Sequence, residues 1–525
     1  MDVVELSRLQ FATTTLYHYL FVPLSISLAL LTAGLQTAAV LARRRAARRA
    51  PAAVGARAGT GAGAGAGGAA APGERWGRLG LLTGKLLMTT FAVGVVTGLV
   101  QEFQFGLNWS DFARFYGDVF GPTLAVEGML AFFLEATFLG LWWFGRDRLP
   151  ELVHLATIWT VALGTTISAF VILAANSFMQ NPVAYTIDAE TGRAQLGSFS
   201  ELLLNEVNLA AFPHTVFGAL MTGGALVMAV GVWHLLRGGH APASEEFAAF
   251  RALSRVGAWT TLVAGAGTAV TGDLLGKVIT RVQPMKMAAA EALYETRTSA
   301  PFSLFAYAPP GAERPTFSLE VPGLLSFLAK GSFTAEVAGI DDLQAAYAAQ
   351  FGPGDYTPWI PVAFWSFRLM IGVGMLAALV ALVHLWVTRS GRPLSVDTRL
   401  AAGVLWSVPV LPLLPLAANS FGWIFTETGR QPWLVFGLFQ TADGVSPGVS
   451  TAEVVLSLLA FTAVYGALAW VWTLLAVRLV RAGLPALPGT ARPDDGDRDG
   501  DVDRGGDRDP AGRARAGAPD TSLSY

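Results

Sequence analysis

The chain contains no cysteine among its 525 residues. That removes disulfides, thiolate metal sites, cysteine-held iron–sulfur clusters and covalent haem attachment. Charge is also scarce. Only 14% of residues are Asp, Glu, Lys or Arg, against about 25% in a soluble domain. The net charge of -2 gives no basic field for nucleic acid, so none is expected as a partner. Histidine occurs six times. No internal repeat is visible, which argues against an inverted-repeat transporter. No cleavable signal precedes the first apolar run, which starts after Glu5 and Arg8 without a small-residue cleavage site.

Apolar residues make up 53% of the chain, with 15 Trp and 32 Phe. A helical span needs roughly 20 mostly apolar residues. Nine such stretches lie near 13–41, 80–100, 121–144, 151–175, 210–236, 251–272, 359–387, 399–421 and 450–478. The predicted fold is an all-α polytopic membrane protein of about nine transmembrane helices. Arginine gathers in alternate connections: "ARRRAARRA" with Arg57, Arg75 and Arg78, then Arg146 and Arg148, Arg237 and Arg251, Arg389 and Arg392, and finally Arg478 and Arg481. The positive-inside rule puts these in the cytoplasm, the N-terminus outside and the C-terminus inside.

This divides the chain into four parts. Residues 1–272 carry six spans, with a flexible Arg/Ala/Gly connection at 42–79. Residues 273–358 form a large external loop. Residues 359–485 carry the last three spans. Residues 486–525, including "PDDGDRDGDVDRGGDRDP", read as a disordered charged tail.

Ionisable groups inside spans are costly, about 2.5–3.5 kcal/mol each at mid-helix, and mark function or a partner. The third span, "GPTLAVEGMLAFFLEATFLGLWWFG", holds Glu127 and Glu135. On an α-helix they would stand about 12 Å apart along the axis and roughly 80° around it. That suits two stations of a proton path, or two structurally satisfied carboxylates. Four of the histidines, His154, His234, His240 and His384, fall at or near the cytoplasmic side. His18 and His214 lie near the outer ends of their helices, at the level of Glu427. Three potential ligands at one depth point to cofactors in the outer half of the membrane. Arg368 is embedded in the seventh span just inside an aromatic belt and needs an anion, which a haem propionate would supply; Met370 lies two residues on. Pro409, Pro412 and Pro415 would bend the eighth span before Trp423 and Glu427. In the external loop, Lys286 and Glu291 sit five apart in "RVQPMKMAAAEALYET". They read either as parts of a solvated amphipathic helix or as a site for a polar head group.

Several separated blocks, in order, resemble subunit I of the cytochrome bd quinol oxidases over roughly residues 1–480: "VELSRLQFATTTLYHYLFVPLS", "EFQFGLNWS", "VEGMLAFFLEATFLGLWWFG", "MQNPVA", "VQPMKMAAAEALYET", "FRLM" and "GRQPW". The resemblance implies roles. His18 and Glu427 would be axial ligands of the two high-spin haems, of b and d type. His214 and Met370 would bind a low-spin haem b. Arg368, Arg430, Trp423 and Arg8 would support the haems, and Glu102 would lie beside them. Glu127 and Glu135 would carry protons from the cytoplasm. Lys286 and Glu291 would bind quinol in the external loop, the Q-loop, which is of the short type. The activity implied is quinol oxidation at the outer face and oxygen reduction to water, building a proton motive force without a classical pump.

The expected setting is the bacterial cytoplasmic membrane, with a second membrane subunit, lipid and small single-span subunits as the partners the resemblance implies. The Ala, Gly and Arg bias suggests a high-GC bacterium and favours menaquinol. The chain departs from its relatives at Ala136, where Thr137 could stand in as a proton-path hydroxyl. The alternatives are a cyanide-insensitive relative with only b-type haems and, from a different class, a proton-coupled membrane transporter.

Overall fold

The computed structural model describes residues 2–49, 72–237, 244–309, 314–389 and 407–486. Among them, nine helices are long and apolar enough to cross a membrane: Val3–Arg49, Glu74–Leu107, Ser110–Phe144, Glu151–Gln180, Glu206–Arg237, Glu245–Val282, Ile360–Val387, Val408–Thr428 and Thr451–Ala482. Helix is the form a single apolar segment takes in lipid, because it satisfies every backbone group within the segment.

The observed helices overrun the expected spans. The first continues through the arginine cluster to Arg49 and the second begins at Glu74. Most of the 42–79 connection flanking the undescribed 50–71 is therefore helical, as Ala and Arg favour. The sixth runs on to Val282, so the long loop after it starts at Gln283 rather than at 273. His240, residues 399–406 of the eighth span and residues 487–525 of the tail lie outside the described residues.

The first span is central. It packs against the second, fourth and fifth, and a buried cluster of Leu28, Leu82, Leu87, Trp142 and Ile158 sits between them. The fifth and sixth spans pack most closely. A Cβ on Gly257 would lie 2.4 Å from the Gly224 carbonyl oxygen, and one on Gly231 would lie 2.6 Å from Ser254 N. Only hydrogen in place of a side chain permits that approach, as is usual where membrane helices associate.

Two spans depart from plain α-helix. The third is α-helical over Ser110–Val126, π-helical over Glu127–Phe132 and α-helical again over Phe133–Phe144. A π segment turns less per residue than an α-helix. The expected 80° between Glu127 and Glu135 therefore does not hold, and the two swing toward a common face. The eighth enters through a 3₁₀ turn at Val408–Val410 and becomes a helix over Leu413–Thr428. Pro409 and Pro412 shape that entry, and only Pro415 lies inside the helix.

The loops are not wholly helical. Among the described residues, four two-stranded antiparallel ladders occur there: Tyr185–Ile187 with Ala194–Leu196, Arg297–Thr298 with Glu336–Val337, Phe302–Tyr307 with Phe317–Val321, and Trp433–Val435 with Phe439–Gln440.

Candidate cofactor chamber and loop helix

A cavity of about 950 Å³ opens between the first, second, third, fourth and eighth spans. His18, Glu102, Glu127, Glu135, Trp423, Glu427 and Arg430 line it, with Arg8 also on its wall. Residues separated by more than 400 positions thus face one volume. Trp423 stacks on Tyr19 at 5.4 Å between ring centroids, tying the eighth span to the residue after His18.

The histidines separate by which ring nitrogen is engaged. His18 Nδ1 lies 2.9 Å from Thr97 Oγ1, whose hydroxyl is within 3.0 Å of the Val93 and Gly94 carbonyls; with the hydroxyl proton on one of those carbonyls, Oγ1 accepts from Nδ1. The Nε2 lone pair of His18 is then left for a metal. His214 is arranged the same way: Nδ1 donates to the Thr268 carbonyl oxygen at 3.1 Å. In contrast, His154 and His234 engage Nε2 with the carbonyls of Trp142 and Val480, both at 2.8 Å, which marks them as packing groups.

Space beside the expected ligands is kept by glycine. A Cβ at Gly98 would stand 3.1 Å from His18 Cε1, one at Gly272 3.1 Å from His214 Cε1, and one at Gly422 2.9 Å from Met370 Sδ. His214 and Met370 do not line the chamber. His214 lies against the sixth span and Met370 against the eighth.

Glu427 is oriented from both sides. Asn176 Nδ2 donates to Oε1 at 2.9 Å, and Arg430 pairs with Oε2. Arg430 also donates Nε to the Trp433 carbonyl at 3.2 Å. Its buried Nη1, the indole Nε1 of Trp109 and Oε1 of Gln101 have no protein partner, and all three residues line the chamber. Two orphaned donors on the wall suit an anionic group inside it. The chamber and its donors therefore fit haem with its propionates.

The proton-path expectation gains hydroxyls. Ser168 donates to Glu127 Oε1 at 2.9 Å, and Thr165 lines the same wall. Thr137, the expected hydroxyl, is exposed and off the chamber. Glu135 is buried, Glu127 half-buried and Glu102 exposed, and all three line the chamber.

The loop helix Pro284–Glu291 is buried along nearly its whole length, which rules out the solvated amphipathic reading. Its two polar residues reach different places. Lys286 Nζ pairs with Gln180 Oε1, and its stem packs on Gly429, two residues from Glu427. Glu291 Oε2 meets Arg368 Nη2 at 2.6 Å and accepts from Ser303 N at 3.2 Å. Arg368 therefore already has a protein anion. It also donates to the carbonyls of Ala290 and Ser303 and lies 4.0 Å over the Phe364 ring. Burial outweighs the guanidinium and holds the Glu291 carboxyl up at about 7. Burial, then the Arg430 charge, lowers the Lys286 ammonium well below its ordinary range, with Glu427 pulling the other way.

Reading residues singly missed Thr97, Ser168, Asn176 and Gln180. The available signal was a polar side chain inside an apolar span, as in "AANSFMQ".

Nine apolar helices among the described residues, several of them enclosing a chamber lined by histidine, carboxylates and unpaired donors, define a polytopic membrane protein with room for a cofactor. The family profile of cytochrome bd terminal oxidase subunit I matches residues 6–56 and 70–484, and the chain belongs to that family of terminal quinol oxidases. It is 39% identical over 487 residues to "Cytochrome bd ubiquinol oxidase subunit 1" of Bacillus subtilis, covering 92% of this chain and 94% of that one. It is 34% identical to "Cytochrome bd-II ubiquinol oxidase subunit 1" of Escherichia coli, covering 88% and 93%. Among solved structures, the bd oxidase of Geobacillus thermodenitrificans aligns with a TM-score of 0.75 at 26% identity, over 92% of this chain and 99% of that one.

Proposed function

We propose that the chain oxidises quinol at the outer membrane face and supports four-electron reduction of oxygen to water with protons drawn from the cytoplasm. The observation that carries this reading is the shared chamber, where His18 and Glu427 meet Glu127 and Glu135. In it His18 and Glu427 hold the two high-spin haems, of b and d type. His214 and Met370 hold a low-spin haem b. When bound, haem supplies the electron relay and the oxygen-binding iron, while the chain sets ligands, electrostatics and access.

The chain's own groups then divide the work. Thr97 and Thr268 fix the imidazole tautomers. Asn176 and Arg430 orient the Glu427 carboxylate. Glu135, Thr165, Ser168 and Glu127 pass protons along the third and fourth spans toward the chamber. In the loop, Glu291 accepts a proton from quinol, with Arg368 setting how readily it does so. Lys286 and Gln180 add a polar contact between the loop helix and the Glu427 turn. Protons released outside and consumed from inside separate charge without a pump. The N-terminus lies outside, menaquinol is the donor by the compositional argument, and a second membrane subunit completes the complex in the bacterial cytoplasmic membrane.

The test is the dithionite-reduced minus air-oxidised absorption spectrum of the purified complex. A far-red chlorin band beside b-type bands is expected, with high-spin signals lost in Glu427→Ala and in His18→Ala. Only b-type bands would move the protein to the cyanide-insensitive relatives. A folded, assembled complex without haem would overturn the proposal and restore the transporter alternative.

A further inference from the structure

A second cavity, of about 700 Å³, lies far from the chamber in sequence and lining. Arg75, Trp76, Arg251, Arg255, Trp259 and Thr260 are on its walls. It sits where the second and sixth spans begin and the seventh ends. Arg75 pairs with Glu245 at 3.0 Å. Arg251 and Arg255 both donate to the carbonyl oxygen of Thr388, at 3.1 and 3.0 Å.

This convergence is unusual in its charge. Two guanidinium groups one helical turn apart converge on Thr388, Arg255 reaching its Oγ1 at 3.0 Å as well as its carbonyl, and like charges at that spacing repel. Arg255 makes no ion pair among the described residues. Arg75 Nε is buried without a hydrogen-bond partner. The cavity therefore offers planar donors with capacity left over for an anion, the arrangement that suits a phosphate.

What lies below the arginines decides the kind of anion. Along the sixth span, Arg251, Arg255, Trp259 and Val263 recur at every fourth residue, the spacing of one helix face. Trp259, Val263, Val270 and Leu274 are all exposed, and that span is one of the least enclosed in the protein. Trp259 stands about 6 Å beyond Arg255 along the axis, at the level where an interfacial tryptophan sits. A basic pocket thus continues into an uncovered apolar stripe that runs into the membrane. A free inorganic ion would use only the pocket; a phospholipid would use both.

We propose that this cavity is a binding site for the phosphate headgroup of an anionic phospholipid, with an acyl chain lying along Trp259, Val263, Val270 and Leu274. The site is separate from the oxygen chemistry and does not depend on which haems are bound.

Native mass spectrometry of the detergent-purified complex tests it, with phosphatidylglycerol, phosphatidylcholine of the same acyl chains and inorganic phosphate as probes. Phosphatidylglycerol should be retained about tenfold better than phosphatidylcholine. An Arg251→Gln/Arg255→Gln variant with an unaltered haem spectrum should lose that preference, and excess inorganic phosphate should not displace the lipid. Equal retention of the two lipids by the unaltered complex would overturn the proposal whatever the variant does, leaving the face to a protein partner. An undiminished preference in the variant would also overturn it. Displacement by inorganic phosphate would overturn the lipid source and assign the pocket to the free ion.

Discussion

Replacing Arg368 by Gln gives the sharpest test of how the loop helix works. Arg368 and Glu291 are both buried and 2.6 Å apart. With the guanidinium present, burial already holds the carboxyl at about 7. Removing one member of a buried pair leaves the other charge uncompensated at about 3–5 kcal/mol. At about 1.4 kcal/mol per pKa unit, that corresponds to a rise of at least about two units. The sign is upward, because the lost charge favoured the ionised form. At pH 7 the ionised fraction then falls about fiftyfold, from about one half to about one in a hundred. If Glu291 accepts the quinol proton, kcat/KM for quinol in the native protein should rise with pH through about 7. In Arg368→Gln that rise should move up by about two units and the rate should recover at alkaline pH. The assay is steady-state quinol oxidation across pH, on complexes whose reduced spectra match. A uniform loss at every pH with an unmoved midpoint would mean that Arg368 only braces the loop, and would refute the reasoning. In Glu291→Gln the pH-dependent limb itself should vanish.

Three further outcomes follow from the geometry. Thr97→Val deletes the acceptor at 2.9 Å from His18 Nδ1; high-spin haem content, measured by pyridine haemochrome and the reduced spectrum, should drop about 10–100-fold in apparent affinity, with the low-spin band unchanged. Gly422→Ala puts a methyl 2.9 Å from Met370 Sδ; the low-spin band should shift or broaden in redox titration while the high-spin signals stay, and an unaltered low-spin midpoint would remove Met370 as a ligand. Ser168→Ala removes the donor at 2.9 Å from Glu127; oxygen consumption should slow by about tenfold with full haem content, and an unchanged rate would place the proton route elsewhere.

The spans were legible because lipid imposes one rule on every segment: apolar, about the right length and helical. In-span polar residues such as Glu127, Glu135 and Arg368 stood out for the same reason, since each is costly there unless it has a task or a partner. The sequence by itself thereby determined the membrane class, the span order and most of the ionisable residues on the chamber wall. It could not assign partners. Glu291 and Arg368 are 77 positions apart, as are many unrelated pairs, and only the docking of the loop helix on the seventh span makes them one unit. Thr97 looks like any span threonine until its hydroxyl is found 2.9 Å from His18 Nδ1, 79 positions away in sequence. The π turn at Glu127–Phe132 leaves no signature in hydrophobic periodicity, yet it resets where two carboxylates point. Composition and periodicity record what each residue costs in its own segment. Which groups meet, and which nitrogen, oxygen or sulfur is left free, is decided by helices packing closely enough to bring distant side chains within hydrogen-bonding reach.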